Sequence, residues 1–402
     1  MKNKIQEYLN KKKFKFLRKF FLKLQPFLKK DSYILFDNLY EANAECIDTY
    51  CIFQYMQKHG IKSYYVIWKE NPLYKKLKKE NQLKNILVMK RSCKEDMKNN
   101  FDFFFLTWRK LLSAKAVITS FGDLCPKITE LLYKNKYITY IHTDHGSILL
   151  KTFILSTGYF SPNKFNKFLI CSDTESKIFQ RFGWDKNNLI KIGLPRWDLL
   201  KKETQPQKNI FMMFTWRNSF GKWNKNFTTP LTKTEYYKGI MAFIRSPKLQ
   251  RLLKENNVKL IYTLHHSLIN QCREKLDFSA SCLEYVPCEN ISQYIGKADM
   301  FITDYSSLFF DFAFLHTPII FYRPDFDDKT LNGNDRGDME HAKTMNNKLF
   351  NVCYTIDDTV AAIEKYIKNG FSLEAKNCQK ADALFSTKKN ITEKFVAYLE
   401  KM

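Results

Sequence analysis

KADMFITDYSSLFFDFAFLHTPIIFY, residues 297–322, is the stretch that decides the fold. A short apolar run, MFITDY at 300–305, ends at Thr303-Asp304 and is followed by the small hydroxyl residues Ser306 and Ser307. An apolar helical run beginning near Ser307 then leads to a Thr-Pro stop, and a second strand-like run, PIIFYR at 318–323, comes next. Strand, tight turn, helix and strand, with apolar runs too continuous for a half-exposed sheet, spell a βαβ unit of a parallel sheet. Open α/β sheets bind ligands at the carboxyl ends of their strands, and free amides with serine hydroxyls at a helix start suit phosphate. Thr303, Asp304 and Ser306 fit a helix cap equally well, a contact worth ~1 kcal/mol.

The same alternation runs outward in both directions. Before it lie SYILFDN (32–38), YYVIWKE (64–70), NILVMK (85–90), AVITS (116–120), YITYIHT (137–143), KFLICSD (167–173) and LIKIGLP (189–195), separated by helix-patterned stretches such as 43–60 and 71–83. A polar patch at 201–209 interrupts the pattern, which restarts with IFMMFTW (210–216), VKLIYTLHH (258–266) and CLEYVP (282–287). Two doubly wound, Rossmann-like α/β halves facing across a cleft are the economical architecture. The boundaries predicted are a basic helix at 1–30, a first domain at 31–203 and a second at 204–402, whose last helix can pack back on the first. The segment 323–343, rich in Asp, Asn and Gly, reads as a long loop.

A chain of 402 residues has room for two or three domains of ~150 residues. Its 16% aromatic content excludes a disordered chain, and 66 Lys plus Arg against 41 Asp plus Glu, a net +25, points to polyanionic partners. Ten scattered cysteines with no C-x-x-C pair suggest reduced thiols in the cytoplasm and no zinc site. No run is long and apolar enough to span a bilayer or serve as a signal peptide. Residues 1–30 carry eleven Lys or Arg against one acid, with Leu9, Phe16, Leu17, Phe20, Phe21, Leu24 and Phe27 recurring at helical steps. Such a helix suits an anionic membrane surface, or it packs its stripe on its own domain.

Four further short motifs occur in order: Asp144-His145-Gly146 after a strand, Gly193-x-Pro195-Arg196-x-Asp198 closing the first half, Thr215-Trp216-Arg217 on the first strand of the second, and Leu264-His265-His266 ending the next. With TDYSSLFFDF, they resemble the CDP-glycerol glycerophosphotransferase family of teichoic-acid and capsule polymerases and primases, over residues 110–325. The resemblance implies a GT-B fold and transfer of glycerol phosphate, or a related polyol phosphate, from a CDP-activated donor. The acceptor would be a hydroxyl of a lipid-linked or polymeric glycan at the cytoplasmic face of the membrane, and CMP would leave.

The resemblance makes His145 the general base, next to a glycine, Gly146, that lets substrate approach the backbone; an imidazole titrating near neutrality suits that task. His142 is a competing acceptor-side candidate. Arg217 offers a planar fork for phosphate oxygens, and His265 or His266 a donor to the diphosphate. Thr303, Asp304, Ser306, Ser307 and Asp311 map onto the nucleotide-diphosphate element, Asp311 orienting the serines. Arg196 and Asp198 are read as a pair internal to the first domain. The lead-in His142-Thr143-Asp144 and the absence of proline after Gly146 depart from the family pattern and leave the acceptor open, while Arg336-Gly337 keeps one trace of it in 323–343. No metal site or cofactor is implied, divalent-cation assistance staying open. The rival readings are a GT-B glycosyltransferase using a nucleotide sugar and a non-catalytic RNA-binding protein. The second conflicts with aromatics that sit in strand and helix patterns rather than among basic residues, so no nucleic acid is expected.

Overall fold

Apolar runs buried on both faces produce parallel strands throughout. The computed structural model describes all residues except 1, 37–46, 90–100, 121–123, 125, 145, 151, 221–229, 266, 267, 269–279, 289, 290, 330, 332 and 347–349. Thirteen strands occur among the described residues. They are β1 (Ser32–Phe36), β2 (Ser63–Trp68), β3 (Ile86–Met89), β4 (Ala114–Thr119), β5 (Thr139–His142), β6 (Lys167–Ile170), β7 (Leu189–Lys191), β8 (Lys208–Phe214), β9 (Val258–Leu264), β10 (Leu283–Tyr285), β11 (Met300–Thr303), β12 (Ile319–Tyr322) and β13 (Asn351–Cys353). The last was not anticipated, being three residues long and polar at its start.

The first unit comprises residues 1–145, 158–199 and 386–402. Its sheet has the order β3-β2-β1-β4-β5-β6-β7, every pair parallel. Chain termini close its core: Phe395, Val396 and Leu399 of the helix Ile391–Lys401 pack among Tyr33, Leu35, Ile52, Phe53 and Tyr65. Asp198 receives the amides of Ile391 and Thr392 at 3.0 and 2.7 Å, anchoring the start of that helix. Arg196, for its part, bonds Asp48 from its backbone amide and its guanidinium at 2.8 and 2.7 Å. The expected Arg196–Asp198 pairing thus gives way to a partner for each that joins distant segments of this unit.

The N-terminal helix Lys2–Leu24 belongs to this unit too and splits its apolar residues between two faces. Phe14 and Phe21 are buried, with Phe14 stacked on Phe101 at 4.4 Å and Phe21 edge-on to Phe104 at 5.8 Å. Leu17 and Leu24 are half-buried on the same side. Leu9, Phe16, Phe20 and Phe27 lie outward, Phe16 at 71% and Phe27 at 83% exposure. The stripe read from sequence is therefore two stripes, roughly 100° apart around the helix at 3.6 residues per turn. The inner one is buried, while of the outer one Phe20 meets Trp108 edge-on at 6.4 Å.

The second unit, residues 146–157 and 200–385, has the sheet order β10-β9-β8-β11-β12-β13, again all parallel. Its core is aromatic: Phe301 stacks on Phe312 at 4.0 Å and Phe211 on Tyr294 at 5.4 Å. The division differs from the sequence boundaries in that 146–157 joins the second unit, while 386–402 joins the first, where the last helix was expected to be able to pack. Residues 323–343 are not all loop, because Gly333–Asn346 is a helix. Its local sequence is a poor helix former, and tertiary contacts supply what propensity lacks: Met339 and Ala342 are buried, and His341 Nε2 donates to the Leu149 carbonyl at 2.8 Å. The helix expected from Ser307 is shorter as well, Phe309–Phe314, preceded by a turn.

Phe21→Ala should lower unfolding stability by ~3–5 kcal/mol, the usual cost of deleting a buried aromatic ring. Phe16→Ser should change it by no more than ~0.5 kcal/mol. Urea melts of the two variants beside the parent test this, and equal losses would mean that the outer stripe is packed after all.

Candidate functional site

In the second sheet the strand order reverses between β8 and β11, where the chain leaves the sheet in opposite directions. Crevices at such switch points, at the carboxyl ends of strands, are where open α/β sheets place ligands. Thr215-Trp216-Arg217 follows β8, Asp304-Tyr305-Ser306-Ser307 follows β11, and Arg323-Pro324-Asp325 follows β12. Three turns, two of them bearing motifs, thus meet at one edge.

Arg217 organises them. Its Nη1 donates to Asp304 Oδ2 at 2.6 Å and to the Thr215 carbonyl at 3.1 Å, while Nε and Nη2 grip Asp325 at 2.8 and 3.0 Å. Arg217 is 2% exposed, and Tyr236 and Tyr305 lie against its guanidinium, 4.7 and 4.9 Å from ring centre to Cζ. Burial opposes its charge, but Asp325 and Asp304 outweigh that and hold it well above its ordinary value. The guanidinium read from sequence as a phosphate fork is consumed inside the protein. Its partner Asp325 lay in the stretch read as loop, which hid the pair.

Asp304 and Thr303 are likewise building elements. Asp304 Oδ1 accepts from the amides of Thr215 and Tyr305 at 2.9 and 2.6 Å, and the Thr303 hydroxyl donates to the Met213 carbonyl at 2.7 Å, binding β11 to β8. Ser219 donates from both amide and hydroxyl to Asp335 at 2.7 and 2.5 Å, tying the turn after β8 to the helix Gly333–Asn346. The Asn/Asp-rich stretch, read as loop, therefore supplies two buried carboxylates, Asp325 and Asp335, to the turn after β8.

The serines are placed differently. Ser306 Oγ accepts the Leu308 amide at 3.2 Å, closing a local turn, and Ser307 is partly exposed with its hydroxyl unused among the described residues. Gly146 lies directly against it: a Cβ at this position would stand 2.6 Å from Ser307 Oγ and 3.1 Å from its Cβ. Only glycine allows that approach. Asp311 is buried in the helix Phe309–Phe314. His265, just past β9, is half-buried and gives its carbonyl to the Leu268 amide at 2.8 Å. His145 and His266 lie outside the described residues.

His142 leaves the list of acceptor-side candidates. It is 1% exposed in the first unit, enclosed by Phe160, Phe165 and Phe168 with ring centres 4.8–4.9 Å away. Its Nδ1 accepts the Asp144 amide at 2.9 Å, which puts its proton on Nε2 and makes it a neutral core imidazole. Asp144 itself adopts φ +60°, a left-handed turn just ahead of His145 and Gly146. Among the described residues no cluster of His, Cys, Asp and Glu is suited to a metal ion.

The family model for CDP-glycerol:poly(glycerophosphate) glycerophosphotransferase matches residues 18–390. The chain belongs to that family. It is 25% identical over 299 residues to the minor teichoic acid biosynthesis protein GgaB of Bacillus subtilis, covering 70% of this chain and 30% of that protein. To the teichoic acid poly(glycerol phosphate) polymerase of Bacillus spizizenii it is 26% identical over 227 residues, covering 48% and 54%. It thus spans about a third to a half of these relatives. The wall teichoic acid polymerase TagF superposes with a TM-score of 0.63 at 16% identity, covering 100% of this chain and 98% of that one. The UDP-GlcNAc 2-epimerase of Neisseria meningitidis gives 0.57 at 12%, over 92% and 100%. The fold is GT-B-like.

Asp325→Ala should cost ~3–5 kcal/mol by leaving Arg217 half-paired and buried, whereas replacing Arg217, Asp304 and Asp325 together with apolar residues of similar volume should cost less. Thermal unfolding of the single and triple variants checks this. A near-neutral Asp325→Ala would mean that the pair does not hold the three turns.

Proposed function

We propose that this protein transfers glycerol phosphate, or a related polyol phosphate, from a CDP-activated donor to a hydroxyl of a teichoic-acid-like glycan acceptor, releasing CMP. The observation that carries this is the contact of Gly146 with Ser307. It brings Gly146, the glycine of one motif, to Ser307 of another that is far apart in sequence, at the carboxyl end of the second sheet. Family membership supports the donor class, as does the solution of TagF after soaking with CDPG.

In this reading the acceptor oxygen attacks the phosphorus bearing the polyol, in line with the bridging oxygen to CMP. The bond from that phosphorus to the bridging oxygen breaks, and CMP takes the electron pair. His145, next in sequence to Gly146, takes the acceptor proton. Phosphoryl transfer asks mainly for positioning and charge stabilisation. Ser307 and Ser306, with His265 or His266, hold the diphosphate. Arg217 positions the turns rather than touching substrate.

The partner at the membrane is proposed on the outer stripe of the N-terminal helix. Phe16, Phe20 and Phe27 lie exposed among lysines, so the rings can enter an interface while each nearby lysine adds up to ~1 kcal/mol toward anionic headgroups. No helix among the described residues is long and apolar enough to cross a membrane.

Incubation with CDP-glycerol should release CMP and extend an acceptor, while UDP-sugars should release no nucleotide. Turnover with a UDP-sugar alone would replace this reading with glycosyl transfer. His145→Ala should abolish transfer with CDP affinity nearly intact, and parallel loss of CDP affinity would remove His145 from the acceptor side.

For the membrane, replacing Phe16 and Phe27 with serine should weaken binding of the protein to vesicles containing anionic lipid without lowering its melting temperature. Raising salt from ~0.05 to ~0.5 M should weaken binding of the parent as the Debye length shrinks. Unchanged vesicle binding by the serine variant would exclude the outer stripe as the docking face.

A further inference from the structure

A second buried guanidinium, Arg323, also lies against the Tyr305 ring, with Cζ 4.2 Å from the ring centre. Its residue exposure is 0%, and Nη1 and Nη2 have no hydrogen-bond partner among the described residues. Its amide continues the β12–β13 pairing by donating to the Cys353 carbonyl at 2.9 Å, and Nε reaches only the Asp304 carbonyl at 3.4 Å. The Tyr305 hydroxyl is also buried and without a partner among the described residues. Four guanidinium N–H groups and one phenol O–H, on side chains in contact, therefore find no acceptor among those residues.

The neighbouring carboxylates do not relieve this. Both oxygens of Asp325 and Oδ2 of Asp304 are committed to Arg217, and Asp304 Oδ1 to two backbone amides. One of two adjacent buried arginines is matched and the other is not. Burial pulls the Arg323 guanidinium below its ordinary value, and Arg217 adds to the pull. Unpaired buried donors of this kind are costly, and they persist where a ligand supplies the acceptors. A donor-only constellation with a planar fork calls for an acceptor-rich, planar-matching anion, which is phosphate chemistry.

We propose that Arg323 is a phosphate-binding residue: its two terminal nitrogens take an oxyanion of the donor's diphosphate, with the Tyr305 hydroxyl as a third donor. The assignment rests on the nucleotide-donor reading above. It places the cation that the Ser306-Ser307 turn lacks on the next strand end of the same unit. Since the nitrogens are closed off from solvent, the side chains around them move aside when the anion enters, so association is slower than diffusion.

Calorimetry with CDP and, separately, inorganic phosphate on the full chain tests this, using the parent, Arg323→Met, Arg323→Lys and Ser307→Ala. The expected result is a loss of CDP affinity of about tenfold or more in Arg323→Met. A comparable loss in Arg323→Lys is expected, because lysine keeps the charge and lacks the fork. The ligand-free melting temperature of Arg323→Met should hold or rise, because an unmatched buried charge is removed. If Arg323→Met does not fold, Arg323→Lys decides. CDP affinity unchanged in the Arg323 variants but weakened in Ser307→Ala would overturn the proposal and leave the donor reading standing. Parent protein that ignores CDP yet binds inorganic phosphate through Arg323 would overturn the donor reading and the assignment to the diphosphate, leaving a site for free phosphate. Parent protein that binds neither would overturn both.

Discussion

One buried cation, Arg217, holds together the carboxyl edge of the second sheet. Strand ends in a parallel sheet are otherwise independent, each feeding a turn whose amides and carbonyls need partners. Arg217 satisfies the turn after β8 through the Thr215 carbonyl, the turn after β11 through Asp304 and the turn after β12 through Asp325. Asp304 returns two bonds to backbone amides, so the network closes on itself. A buried ion pair of this sort is weak evidence for stability as such, since apolar residues of similar volume often do as well. What apolar residues lack is directionality. Bidentate and monodentate bonds from one planar group fix three turns relative to one another, which a ligand site needs and a hydrophobic core does not.

Most of the architecture was legible because parallel strands buried on both faces leave an unmistakable record of continuous β-branched and aromatic residues. The strand ends matched to within a few residues, and β13 escaped because it is short and its pairing with β12, not its composition, makes it a strand. The helix Gly333–Asn346 escaped for a related reason: its stability comes from Asp335, Met339, Ala342 and His341 reaching other segments, none of which is visible in a local window.

The site was half legible. Motifs marked turns that the fold brings together, because close approach of backbone to a neighbouring turn needs small residues such as Gly146 and Ser307. They misassigned individual side chains where a charge had a buried partner elsewhere in the sequence. Arg217 resembles a ligand until Asp325 is seen, and His142 resembles a base until the phenylalanines around it are seen. Arg323 is the converse case, a residue with no motif around it that only its surroundings single out. Charge at a strand end is thus ambiguous in sequence, and the count of available acceptors resolves it.

The N-terminal helix applies the same test to apolar residues. Its phenylalanines look equivalent in sequence, yet Phe14 and Phe21 have partners and Phe16 and Phe27 do not. The inner stripe docks the helix on the first unit and Phe20 adds an edge contact with Trp108, so packing does not explain Phe16 and Phe27. Single exposed apolar residues are ordinary, but a row of large rings on one face among so many lysines is a surface whose burial is still owed. The two buried rings bear on this as well, for they hold the helix on the first unit and so fix the direction in which the outer rings point.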